Sequence, residues 1–205
     1  MKFFSRFFAT KPDFSKPDSV IEHEPVPGTE EFDELMCMTP DQRMALMELT
    51  RLVCSHLPQN EVQVICSDME RTMKEGGDAG EVIAACFSEE LFLSLTPKFF
   101  LAAEPGRLRE ACEIYPVLNT ALGITEPLPS AVMNPPGYSA TLSIAEFGDH
   151  LIKNGFHPLH LGIMSDTHYM LCVENQFLTD ALTLAGKCGL RITSNDVFRA
   201  HEIDA

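Results

Sequence analysis

Between residues 143 and 193 the spacing of apolar residues changes period three times, and this limits the possible folds more than any other feature of the chain. Ser143-Ile144-Ala145-Glu146 has the form of a capping box, which predicts a helix that opens there and closes at Gly155. Leu159 to Met164 and Tyr169 to Val173 alternate instead, as strands do, on either side of the turn signal Ser165-Asp166-Thr167. Glu174 to Lys187 returns to helical spacing, with Phe177, Leu178, Ala181, Leu182 and Leu184 inward and Gly189 as its stop. Leu190-Arg191-Ile192 begins a last short strand. This helix–β-hairpin–helix–strand unit predicts an α+β fold, with helices packed on one face of a small mixed sheet.

Upstream, Thr39-Pro40-Asp41-Gln42 carries an N-cap, a proline at the first helical position and a glutamine three residues after the cap. A helix is predicted from there to about His56. Residues 61–67 fit strand and helix equally. Asp68 to Lys74 reads as helix ending at Gly76-Gly77, and Ala79 to Leu95 as another. Residues 97–103 form an apolar run, predicted as a buried strand. Residues 107–122 have helical period, with Pro116 expected to kink or split the helix. Residues 124–141 hold Pro127, Pro129, Pro135, Pro136 and Gly137, no basic residue, and Glu126 as their one acid. They predict a long loop with exposed apolar residues (Leu128, Val132, Met133, Tyr138). The chain thus divides into a segment 1–38, basic-aromatic then proline-rich and acidic, and a single α+β domain 39–205.

At 205 residues, 45% hydrophobic and 22% charged, the chain has material for a real core and is not a disordered polymer. No run approaches the roughly 20 apolar residues of a membrane span. Fifteen basic against 30 acidic residues give −15, which argues against direct binding to a phosphate backbone. Seven cysteines, an odd number with no CxxC spacing, predict buried free thiols and a cytoplasmic, reducing setting. Arg6 interrupts the apolar N-terminus, so a secretory leader is not expected. Phe3, Phe4, Phe7 and Phe8 would share one helical face beside Lys2, Arg6 and Lys11. Residues 2–8 therefore predict either weak peripheral membrane contact or a self-docked terminus.

The chemistry-bearing residues gather on the hairpin. Alternation places Leu159, Leu161 and Ile163 on one side of the first strand, and His160, Gly162 and Met164 on the other. The second strand likewise separates Tyr169, Leu171 and Val173 from His168, Met170 and Cys172. If Met164 pairs with His168, His160 lies opposite Cys172. Imidazole, thioether and thiol on one surface, with His157 nearby, admit three readings: a soft-metal site using His157, His160, His168 and Cys172, a second buried face, or an adaptable recognition surface. No cofactor is expected. Catalytic patterns are weak: there is no G-x-S-x-G elbow, and Gly76-Gly77-Asp78-Ala79-Gly80 lacks the Lys-Ser/Thr of a phosphate loop. An Asp166–His168–Cys172 set would place its thiol mid-strand, away from any helix N-terminus that lowers a thiol pKa. No catalytic residue is assigned.

The charge pattern is more directive. Residues 21–50 hold Glu22, Glu24, Glu30, Glu31, Asp33, Glu34, Asp41 and Glu48 against Arg43 alone. Such a run speeds encounter with a positively charged protein. The expectation is a non-enzymatic interaction protein with a basic protein partner. In composition and architecture the chain is similar to small acidic α+β immunity or inhibitor proteins that neutralise a basic toxin or effector. An adaptor or assembly factor and a metal-binding enzyme or regulator are the alternatives. The expected contacts are Glu30, Glu31, Asp33 and Glu34 as a steering patch, and Asp166, His168 and Tyr169 at the hairpin tip.

Overall fold

The computed structural model describes residues 38–88, 95–104, 107–163 and 167–202. The steering carboxylates Glu30, Glu31, Asp33 and Glu34, the aromatic segment 2–8 and Asp166 lie outside the described residues.

The first described helix, α1 (Pro40–Val53), begins as the sequence predicts. Thr39 Oγ1 accepts from the Gln42 amide at 3.3 Å, and Gln42 Oε1 accepts from the Thr39 amide at 2.8 Å. The ambiguous stretch 61–67 is helical, within α2 (Gln59–Glu75). Val62, Ile65, Cys66, Met69 and Met73 recur on its buried face, so the longer helical period outweighs the local alternation. Helix α3 (Ala79–Ser88) and a 3-10 turn (Thr96–Lys98) lead to β1 (Phe100–Ala103).

Helix α4 (Leu108–Ala121) runs through Pro116 without division. Pro116 faces solvent, so the Cys112 carbonyl that loses its intrahelical donor sits toward the wetter side of the helix. The region 124–141 contains a short helix, α5 (Ser130–Met133), and a turn at Pro136–Tyr138. The expected exposure of its apolar residues holds for Tyr138 only: Val132 is buried, and Leu128 and Met133 pack against the core.

Helix α6 (Ala140–Lys153) opens one turn earlier than expected. Its cap is Ser139, whose Oγ accepts from the Leu142 amide at 3.2 Å. Ser143 is instead buried inside the helix, 3.0 Å from the Tyr115 hydroxyl and donating to the Val132 carbonyl at 2.5 Å. Strands β2 (Phe156–Leu161) and β3 (His168–Glu174), helix α7 (Leu178–Cys188), strand β4 (Ile192–Thr193) and helix α8 (Asn195–Glu202) complete the chain.

The fold is α+β, as expected, with eight helices and a four-stranded sheet among the described residues, the strands in the order β1-β3-β2-β4. Three details differ from expectation. Every pairing among the described residues is antiparallel, so the described sheet is not mixed: β3 and β4 run the same way but β2 lies between them. The hairpin register is offset by two residues, with His160 opposite Met170 and Pro158 opposite Cys172. Strand pairing to β3 ends at Leu161, and Gly162 turns its amide to the Arg191 carbonyl at 2.8 Å, toward β4. A two-residue offset preserves which side chains face which way, so the division into faces survives.

The third difference is that helices cover both faces of the sheet. Phe100, Leu159, Leu161, Leu171 and Val173 enter one core with α1, α2, α3 and α7. Leu101, Ala103, Met170 and Cys172 enter a second core with α4, α5, α6 and α8. The central residues of β1, β2 and β3 are therefore buried on both faces of the sheet.

Candidate functional site

Covering the second face decides the fate of the hairpin residues. His160, Met170 and Cys172 do share one surface with His168, as alternation requires, but that surface is interior. His160 is 4% exposed and Cys172 1%. What covers them is α8. Phe198 lies flat on the His160 ring, with centroids 4.0 Å apart, and the His168 ring meets the edge of Phe198 at 5.3 Å. Thr141 Oγ1 approaches His168 Nε2 at 3.4 Å.

Asn195, at the start of α8, ties this layer together. Its Nδ2 donates to the Ala145 carbonyl at 3.0 Å and to Asp149 Oδ1 at 2.7 Å. That fixes the amide orientation, so its Oδ1 is the acceptor facing His160 Nε2 at 3.0 Å, and His160 carries its proton on Nε2. Burial drives the His160 pKa down to about 4, against the Asn195 hydrogen bond, which acts to raise it. Arg199, one turn further on, bridges Glu146 Oε1 at 3.1 Å and Asp149 Oδ2 at 2.6 Å. Room for Asn195 comes from Gly148: a Cβ there would sit 2.2 Å from Asn195 Oδ1.

A second histidine–asparagine pair repeats the arrangement. His150 Nε2 lies 2.8 Å from Asn119 Oδ1, while Asn119 Nδ2 donates to the carbonyls of Ile124 and Glu126, each at 3.3 Å. Burial again lowers the histidine pKa. This pair pins the start of the 124–141 region to α4 and α6. The Ser143–Val132 bond and a 3.7 Å contact from Cys112 Sγ to the Met133 carbonyl pin its middle. Sequence reading did not single out Asn119, Asn195, Phe198 or Gly148. The one available signal was Gly148 inside an otherwise strong helical pattern, a position that marks close packing when glycine is tolerated there.

The candidate metal ligands do not converge. His157 and His160 are three apart on one strand, so they point to opposite faces of the sheet. Cys172 is across from Pro158 rather than His160. Among the described residues, no group of three or more His, Cys, Asp or Glu side chains is placed to share an ion. The Cys172 thiol is pushed up to about 12 by burial, and Cys86 to about 12 by burial with Asp68 beside it. Neither is a ready thiolate. His168 and Tyr169, expected together at the hairpin tip, are on opposite faces: Tyr169 stacks on Phe100 at 5.7 Å, toward the first core.

Two open grooves mark the outside. One, of about 540 Å³, lies between the α1–α2 turn, the Thr96–Lys98 turn and α4, over Leu57, Pro58, Pro116 and Val117. Its polar groups are already committed to one another: Lys98 Nζ contacts both Glu61 oxygens at 2.8 Å, and His56 Nε2 lies 2.9 Å from the Lys98 carbonyl. The other, of about 520 Å³, runs between α1 and α7, with Glu48, Arg51, Asp180 and Lys187 around Leu52 and Leu184. No described helix is long and apolar enough to cross a membrane.

Compared with family models, curated proteins and solved structures, the chain matches none of them.

Proposed function

We propose that this protein works by binding rather than by catalysis, and that its partner is a basic protein. Within that class the reading we favour is neutralisation: an immunity or inhibitor protein that occupies a positively charged toxin or effector. The observation that carries this is how the polar groups divide. The His160 and Cys172 side chains of the hairpin are buried in the core that α6 and α8 help to form, and His160 is engaged by Phe198 and Asn195. The carboxylates concentrate in another part of the sequence: Asp18, Glu22, Glu24, Glu30, Glu31, Asp33 and Glu34 follow one another with no lysine or arginine between residues 17 and 34.

The folded domain adds to the imbalance. Five of its cations (Arg71, Lys98, Arg107, Arg109 and Arg199) pair with carboxylates of the same chain. These pairs leave the excess of acids to set the outward field. A surface of that sign raises the encounter rate with a positive protein and discourages negative ones.

The test uses the full chain, tagged at its C-terminus, to recover a partner from the cells that produce it. The partner is then purified, and its own activity is measured with and without the protein. A basic partner whose activity falls on binding is the expected result. An acidic partner overturns the charge argument, and a basic partner with unchanged activity overturns neutralisation.

A further inference from the structure

Tyr138 is the most exposed large apolar residue described, at 82%, and the only non-glycine one described with a positive φ, at 56°. A tyrosine in the left-handed region stores backbone strain, and strain of this kind persists where the surroundings impose it.

The surroundings do impose it. The Tyr138 amide donates to the Pro135 carbonyl at 3.1 Å, closing a turn with Pro136 and Gly137 at its corners. Gly137 has φ 67°, ψ 10°, as a type II turn requires at that corner, and proline suits the one before it. On one side the turn joins α5, held by the bond from buried Ser143 to the Val132 carbonyl. On the other it enters the Ser139 cap of α6. The ring is therefore displayed from a turn tied down on both sides, with no lysine or arginine in residues 124–141.

We infer that Tyr138 is an anchor for the partner, and that the group it receives is an arginine side chain presented by a basic protein. This rests on the binding function proposed above and adds to it a place and a chemistry. The backbone turn is closed before binding, and ordering the ring fixes only two side-chain torsions, so its contact area converts well into affinity. A guanidinium stacks on the face of a phenol ring, whereas an ammonium does so less well, so the site distinguishes arginine from lysine. The chain's charge of −15 brings such a partner to it.

The experiment titrates nona-arginine and nona-lysine peptides into the full chain and into Tyr138→Phe, Tyr138→Ala and Tyr138→Gly, by calorimetry, alongside the urea midpoint of each variant. Both peptides are expected to bind the native protein, arginine about threefold tighter. Tyr138→Phe keeps that preference. Tyr138→Ala and Tyr138→Gly lose it while their affinity for the lysine peptide is unchanged. Tyr138→Gly unfolds at higher urea than the native chain, because glycine relieves the strain that the ring's display requires. A preference that survives in Tyr138→Ala, or vanishes in Tyr138→Phe, overturns the anchor. Failure of both peptides to bind the native chain overturns the charge-based reading beneath it, and the anchor with it.

Discussion

The imidazole of His160 lies flat against the ring of Phe198, with planes 1° from parallel. A strand residue that looked available for chemistry is closed over by the last described helix, and the bond from Asn195 holds that closure in register. Loss of this contact should weaken the second core, which makes it open to direct test.

Asn195→Ala removes bonds to His160, the Ala145 carbonyl and Asp149 at a site 2% exposed. Leaving a buried imidazole N–H and a carbonyl unpaired costs on the order of 3 kcal/mol. Urea denaturation should show a midpoint lowered accordingly with the slope unchanged. A midpoint equal to that of the native chain contradicts the described network.

Gly148→Ala and Gly186→Ala separate packing from propensity. Both glycines are helical, and alanine favours helix by about 1 kcal/mol. At Gly186 an added methyl meets nothing within 4 Å, so stability should rise by up to about that amount. At Gly148 the methyl collides with the bonded Asn195 side chain, so stability should fall by about 1–3 kcal/mol. Thermal melts of the two variants moving in the same direction contradict this.

Much of the architecture was legible because its signals were local. The Thr39–Gln42 capping box, the stops at Gly155 and Gly189 and the alternation around Leu159 and Leu171 each act within a few residues. The misplaced features were long-range. Ser143 reads as a cap only when Tyr115 and Val132, which bury it, are left out of view. The His160 face looked open because α8, a short polar-looking segment, gives no local sign that Phe198 closes the sheet. Beyond Leu161 the chain leaves β3, and Gly162 bonds instead to the Arg191 carbonyl just before β4, nearly thirty residues away. Pro116 was expected to break a helix, and its outward position spares the helix.

His160 gives a pH signature. Its folded pKa of about 4 is below the ordinary 6.5, so the folded state binds its proton later than the unfolded chain does. The stability tied to the neutral ring is complete above about pH 6.5, falls as the pH drops from there toward 4, and changes no further below that. The loss is about 3 kcal/mol at roughly 1.4 kcal/mol per unit. His150, also lowered by burial, adds a loss of the same sign. Proton NMR of the His160 ring should place its titration near pH 4, and titration near 6.5 contradicts its burial.

The thiols should differ in reactivity. Cys172 is fully enclosed and its pKa is pushed up to about 12, whereas Cys112 is only half-buried. Iodoacetamide at pH 8, followed by peptide mass spectrometry, should modify Cys112 well before Cys172 in the native protein, and both at similar rates in urea. Early modification of Cys172 without urea contradicts the closed second core.

The central claim is that surplus carboxylate recruits the partner. With the purified partner in hand, the decisive quantity is the association rate measured by stopped flow between 20 and 500 mM salt. It is measured for the native chain and for the variant Glu30→Lys, Glu31→Lys, Asp33→Lys, Glu34→Lys. Screening over this range shortens the reach of charge from roughly 20 Å to about 4 Å. The native rate should fall at least about tenfold, and the variant should associate slowly at low salt with a much flatter dependence. A native rate that stays level across the series, or a variant that keeps the native salt dependence, contradicts the claim.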